Sequence, residues 1–346
     1  MHHSAIVPVF ENHPLEPYNT FKIKAKSRFF AEISHETDYL NLLNNYKELS
    51  HASKLVLGGG SNILFVNDFN GWILKNNIKG YEILEETNTS ITLRIGAGEN
   101  WHQFVLWSIE KNWGGIENLV LIPGTVGAAP IQNIGAYGAE VKNTILHVEA
   151  LSLEDGKMHV IDNSACQFGY RNSIFKHKWR GKLLITRVVF RLNKNFELNL
   201  SYGTVQQTLA EMNIVRPTLR DISQAIISIR KSKLPDPEII GNCGSFFKNP
   251  EISINQFEQL KQKFPNIVSF PTQEKTVKIS AGWLIEQCGW KGKSYGNAAV
   301  YDKQALVIIN KGNATGKEIL TLAQQIIDSV RNTFDIVLEP EVNIIL

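Results

Sequence analysis

The segment IPGTVGAAPIQNIGAYGAEV, residues 122–141, decides how this chain is read. Glycines stand at 124, 127, 135 and 138 among four alanines and two prolines, so the segment has little side-chain volume with which to fill a core. Its backbone can instead come close to a ligand, and successive peptide N–H groups can hold phosphate oxygens. LGGGSNILF, residues 57–65, offers a second surface of the same kind. A tight turn or close strand crossing accounts for one such segment; two in one region favour a pair of ligand-binding loops.

Around these loops the first half of the chain reads as short strands broken by glycine, as in KLVLGGGSNILFV (54–66) and ITLRIGAG (91–98). Ile91, Leu93 and Ile95 alternate with Thr92 and Arg94, the period of a half-buried strand. Asn100 is placed as a helix cap before Trp101, Phe104, Val105 and Ile109, with Gly114 as the terminating glycine. Asp155-Gly156 between two alternating runs signals a hairpin. From about residue 204 amphipathic helices dominate. Asp221 is expected to cap a stripe of Ile222, Ala225, Ile226 and Ile229 that Leu234-Pro235-Asp236-Pro237 then stops. Thr315 and Glu318 have capping-box spacing. In the closing IVLEPEVNII, Val342 and Ile344 are expected on one side of a strand, Glu341 and Asn343 on the other.

Three glycine patterns invite nucleotide-binding assignments that spacing excludes. Gly58-x-Gly60 and Gly96-x-Gly98 have Ile63 and Trp101 where a dinucleotide fingerprint needs its third glycine. In GNATGKE (312–318) three residues separate the glycines and Glu318 replaces the magnesium-binding hydroxyl of a P-loop. Charge excludes more: 36 basic against 33 acidic residues leave +3, too little for a polyanion-binding surface. At 346 residues, 43% of them hydrophobic, the chain has length for two or three packed domains. Cys166, Cys243 and Cys288 form no metal-binding or CxxC spacing and are read as reduced thiols; no metal site is expected. The N-terminus lacks a signal-peptide layout and no run approaches a membrane helix, so a soluble cytoplasmic protein is expected, without a nucleic-acid or membrane partner.

Two further segments carry chemistry. In GNCGSFFKNP (241–250), Gly241 and Gly244 leave the Ser245 hydroxyl approachable while Phe246 and Phe247 can exclude water; the serine is not in a GxSxG elbow. In GYRNSIFK (169–176), the permanently charged Arg171 suits a carboxylate or a developing enolate. Glu341 follows Pro340 on the polar side of the last strand.

Taken in order, LGGGSNILF, IPGTVGAAPIQNIGAYGAEV, GYRNSIFK, KLPDP…GNCGSFFKNP, SAGWLIEQCGWKG and LEPEVNII resemble the UDP-N-acetylenolpyruvoylglucosamine reductase family from about residue 17 to 346. The resemblance implies an α+β chain: a two-part FAD-binding domain of the PCMH/vanillyl-alcohol-oxidase type (17–194) and a C-terminal α/β substrate-binding domain (204–346), its terminal strand near 336–346 packing back on the first. It implies bound FAD, with Gly58, Gly59, Gly60, Ser61, Asn62, Pro123, Gly124, Gly127, Ala128, Gln132 and Asn133 as the cofactor-binding residues. NADPH would reduce the flavin and give way to UDP-N-acetylglucosamine enolpyruvate in the same cleft of a monomer. By resemblance Arg171 and Glu341 polarise the substrate and Ser245 donates a proton, while Tyr137, Tyr202, Lys233, Asn249 and Gln304 bind it. Phe270 departs from relatives that have a tyrosine there, which implies a different hold on uridine. Two other functions fit parts of the pattern: an alcohol or sugar oxidase on the same flavin fold, and a non-catalytic sugar-nucleotide-binding regulator.

Overall fold

The structure, a computed structural model, describes residues 7–272 and 275–346; the first six residues of the N-terminus considered above for a signal peptide lie outside it. The chain divides into two compact units, each assembled from separated segments. Among the described residues the first comprises 7–13, 27–60 and 70–232, the second 14–26, 61–69, 233–272 and 275–346.

The first unit holds two sheets. Strands Val9–Pro14, Lys26–Ile33, Phe69–Asn76 and Lys54–Leu57 form one in that spatial order, its last pair parallel. The other runs Met158–Asp162, Ile145–Ser152, Leu183–Asn193, Ser90–Gly96 and Tyr81–Glu86, antiparallel throughout. The Asp155-Gly156 hairpin joins the first two of these, with Gly156 at φ 69°. Trp72, Leu74, Leu151 and Leu184 share one core cluster, while Trp101, Phe104 and Phe190 anchor another under the helix Trp101–Glu110. Each such buried side chain contributes about 2–3 kcal/mol relative to exposure.

Asn100 caps that helix, accepting from the Gln103 N–H at 3.0 Å. Its other end departs from expectation: the helix stops at Glu110 and Asn112, not Gly114, takes the left-handed turn at φ 58°. Asparagine tolerates that region through local side-chain hydrogen bonding, which frees Gly114 to bridge to Asn193. The helix Leu219–Lys233 starts two residues before Asp221. Thr218 Oγ1 accepts from the Asp221 N–H, and the Asp221 carboxylate accepts back from the Thr218 N–H at 2.8 Å. Asp221 therefore closes a box from inside the first turn, where its charge also faces the positive end of the helix dipole.

In the second unit the strands Gly241–Ser245, Val307–Asn310, Ala298–Val300 and Ser294–Tyr295 form a sheet, and Glu251–Ser253, Thr276–Ile279 and Ser269–Pro271 a smaller one. The helix Gly316–Phe334 buries Ile319, Leu322, Ala323, Ile326, Val330 and Phe334. It begins in the expected Thr315/Glu318 box. The closing strand is short, Asn343–Ile345, and lies parallel to Ile63–Phe65. All three cysteines are free, and among the described residues no helix is long and apolar enough to cross a membrane.

Candidate functional site

In the first unit the glycine loops pack backbone to backbone. A Cβ on Gly59 would stand 2.8 Å from the Gly124 Cα, and one on Gly127 would stand 2.6 Å from the Ala97 Cβ. Either substitution forces main chain apart. Segments 57–60, 96–99 and 123–128 thus meet in a cradle that side chains cannot fill, the form a diphosphate-bearing cofactor requires. The loop's own hydrogen bonds narrow how it can serve. Val126, Gly127 and Ala128 spend their N–H groups on the carbonyls of Glu99, Ala97 and Thr125. Gly127 and Ala128 therefore offer a ligand close-approach surface rather than those donors.

Asn133 is fully buried at φ 46°. Its Nδ2 donates to Glu140 and to the Gly169 carbonyl, and its Oδ1 accepts from the Lys142 N–H. This side chain ties the loop to the segment that carries Arg171. Ser173 adds a second tie, donating to the Ile131 carbonyl at 2.6 Å. Arg171 itself sits at φ 50°, and its guanidinium donates to the Gly135 carbonyl at 2.6 Å. Tyr137, at φ 49°, is likewise held in the left-handed region. Conformations of that kind cost about 1–3 kcal/mol and gather at functional sites.

Around Tyr137 lies a charged cluster. Its ring meets that of Tyr202 edge-on at 5.3 Å, and the Arg230 charge acts on its phenol. Burial lowers the basicity of Arg230 and the Arg171 charge lowers it further, while Tyr137 opposes both. The Arg230 Nε is buried without a hydrogen-bond partner among the described residues. Burial likewise pushes the Tyr137 phenol above its ordinary range, against the Arg230 charge. Two guanidinium groups and two phenols in one neighbourhood have the chemistry to hold an anionic ligand. Arg230 was not among the sequence-derived site residues.

In the second unit Ser245 ends the strand Gly241–Ser245, whose pairing register shifts between Asn242 and Ser245. A local irregularity of this kind re-aims the side chains that follow. Beyond it, Glu341 N–H donates to the Phe246 carbonyl at 2.8 Å and Lys248 N–H to the Glu339 carbonyl at 2.9 Å. This zip holds Glu341 against the serine's segment. Phe246 and Phe247 are buried beneath it, their rings 5.0 Å apart. Cys243 is buried there too, its thiol pushed well up by burial and by the Glu341 charge. Asn62 Nδ2 donates to the Glu341 carbonyl at 3.2 Å, joining the 61–62 corner to the same place.

The remaining expected residues are more dispersed. Asn249 Oδ1 accepts from the Ala281 N–H, and Gln304 Oε1 accepts from the Leu306 N–H, so each carbonyl oxygen is engaged within the fold. Lys233 is exposed at the end of its helix, and Phe270 lies on the strand Ser269–Pro271. A cavity of about 950 Å³ in the second unit is lined by Lys22, Lys24, Lys311 and the 312–317 turn and contains none of these residues. Ser245, Glu341, Asn249 and Gln304 belong to one unit, Arg171, Tyr137 and Tyr202 to the other.

Comparison with known proteins yields two family matches: "FAD binding domain" over residues 30–162 and "UDP-N-acetylenolpyruvoylglucosamine reductase, C-terminal domain" over 236–345. A UDP-N-acetylenolpyruvoylglucosamine reductase of Flavobacterium johnsoniae is 46% identical over 335 residues, covering 96% of this chain and 98% of the relative. One of Burkholderia ambifaria is 47% identical, covering 95% of each. The crystal structure of UDP-N-acetylenolpyruvylglucosamine reductase from Thermus caldophilus has the same fold, with a TM-score of 0.67 at 21% identity over 98% of both chains.

Proposed function

The chain belongs to the UDP-N-acetylenolpyruvoylglucosamine reductase family, and on that premise we propose that it reduces the enolpyruvyl group of UDP-N-acetylglucosamine enolpyruvate with NADPH, giving UDP-N-acetylmuramate for peptidoglycan synthesis. The end-to-end match to a relative 46% identical is the observation that most supports this reading. Bound FAD supplies the two-electron carrier between the two substrates. The cradle of Gly58, Gly59, Gly60, Ser61, Asn62, Pro123, Gly124, Gly127, Ala128 and Gln132 would hold it, with Asn133 bracing the loop.

Adding a hydride to the terminal carbon of the enolpyruvyl double bond leaves negative charge on the neighbouring carbon and its carboxylate. In our reading Arg171 binds that carboxylate. Losing a stabiliser of this kind costs about 3 kcal/mol of transition-state stabilisation. Glu341 orients the acid end of the substrate, and Ser245 delivers its hydroxyl proton to the charged carbon. Serine is a weak acid, so this transfer requires a strongly basic carbanionic centre and water kept away; the buried Phe246 and Phe247 form an apolar base under the serine's segment. Tyr137, Tyr202, Lys233, Asn249 and Gln304 are assigned to the sugar nucleotide. We take residues 17–194 as the FAD-binding part and 204–346 as the substrate-binding part of a cytoplasmic monomer.

Visible spectra of the purified protein test the reading. A flavin band that bleaches with NADPH and returns anaerobically with the enolpyruvyl sugar nucleotide is expected. A colourless protein that cannot be reconstituted with FAD overturns it; return of the band only with oxygen favours an oxidase. Ser245→Ala should keep the NADPH half-reaction and slow reoxidation by the enolpyruvyl substrate by orders of magnitude. Equal slowing of both halves refutes the proton-donor role.

A further inference from the structure

In the strand Phe69–Asn76, Gly71 to Leu74 and Asn76 are buried, and among them stands Lys75, partly enclosed. Lysine is rarely placed so unless its charge is compensated. Its Nζ donates to the Gly58 carbonyl at 2.9 Å, on the first residue of the glycine cradle. No carboxylate lies within ion-pair distance of Lys75 among the described residues; Glu32 acts on it only at longer range. The register explains the contact, because Lys75 is directly paired with Leu57, the residue before Gly58, across the parallel ladder. Four residues later Lys79 serves the second loop, donating to the Gly98 carbonyl at 2.5 Å while also lying 3.8 Å from the Glu99 carboxylate. Gly58 and Gly98 each neighbour the segment that touches 124–128: Gly58 packs on Thr125, and Ala97 accepts from the Gly127 N–H.

We propose that Lys75 is a positioning residue of the cofactor cradle, its enclosed ammonium locking the Gly58 carbonyl inward and placing a positive charge behind the loop that receives the FAD diphosphate, with Lys79 giving the same support at Gly98. The inference rests on the FAD-binding reading above. A carbonyl pinned from behind fixes the plane of the peptide it shares with Gly59, so the loop keeps the orientation in which its outer face can meet phosphate oxygens. The ammonium adds attraction that a partly buried setting screens less than water does.

The test is titration of FAD into the flavin-stripped full chain, followed by flavin fluorescence, at several salt concentrations, beside thermal unfolding of the apoprotein. Lys75→Met keeps the stem and removes the charge; it should raise the FAD Kd about 10- to 100-fold. It should also flatten the salt dependence while leaving the apoprotein melting temperature within a few degrees. Lys75→Arg should restore most of the affinity, and Lys79→Met should show a smaller loss of the same form. Should Lys75→Met fail to fold, Lys75→Gln against Lys75→Arg gives the same comparison. A wild-type Kd in the uncharged variant overturns the inference. So does an equal loss in the Arg and Met variants with an unchanged salt slope, which marks a packing role alone. Wild-type apoprotein that does not bind FAD sinks the functional reading itself, a result distinguishable from both.

Discussion

At the scale of single residues the cradle is governed by what is missing from glycine. Gly59 has Gly124 main chain where its own Cβ would lie, and neither backbone can give way without moving the loop it belongs to. Gly59→Ala should therefore destabilise the fold by about 2 kcal/mol and weaken FAD binding at least tenfold; melting and flavin titration measure the two separately. The glycines were legible because few other residues permit such an approach. Arg230 was not, since IRKSK at the end of an amphipathic stripe has the look of a solvated helix face, and only the packed fold turns that guanidinium toward Tyr137. Lys75 was hidden similarly: in WILKNNI a lysine reads as the polar side of an alternating strand, and the carbonyl it serves is 17 residues away.

Among the elements, the antiparallel sheet carries a cross-strand charge relay. Arg94 on Ser90–Gly96 donates to Glu149 on Ile145–Ser152 at 2.7 Å, across the intervening strand Leu183–Asn193, and to Glu82 at 3.1 Å. Burial pushes the Glu149 carboxyl up, but the hydrogen bonds and charge of Arg94 outweigh it, so the group ends below its usual 4.5. A depressed carboxyl binds its proton less readily folded than unfolded. Its stabilisation is therefore complete above that value and lost as pH falls through and below it. Glu149→Gln should cost about 1 kcal/mol at neutral pH, discounted for the partial exposure of Arg94. The melting gap from wild type should narrow as pH falls below 4.5 and close once the folded carboxyl is itself protonated; a constant gap would deny the linkage. Thr315→Ala should remove about 1 kcal/mol by opening the box that starts Gly316–Phe334, read as a lower denaturant midpoint. Caps of this kind were legible to within two residues because they depend on side chains three positions apart. The Asp221 start was displaced because a carboxylate serves equally as the cap or as the closing member of its box.

For the molecule as a whole, long-range order was the least legible part. No local period tells that 14–26 and 61–69 pack with 233–346, because their partners lie far along the chain. The buried Ile63, Leu64 and Phe65 take their strand partner from Asn343–Ile345. Deleting residues 343–346 should leave those three without a ladder and lower the melting temperature of the second unit by several degrees. Limited proteolysis should then cut near 61–69 first, and an unchanged digest would contradict that dependence.

The interleaving has a consequence for birth of the protein on the ribosome. Every segment of the first unit has been synthesised once residue 232 is added, but the second unit waits for the last strand with two of its three pieces already made. At ordinary elongation rates the stretch from Phe65 to the closing strand takes roughly 14 to 56 s, during which ILF at 63–65 has no mate. Nascent chains halted before Asn343 should accordingly recruit holding chaperones through those early segments, and release them once Asn343–Ile345 has been made and has paired.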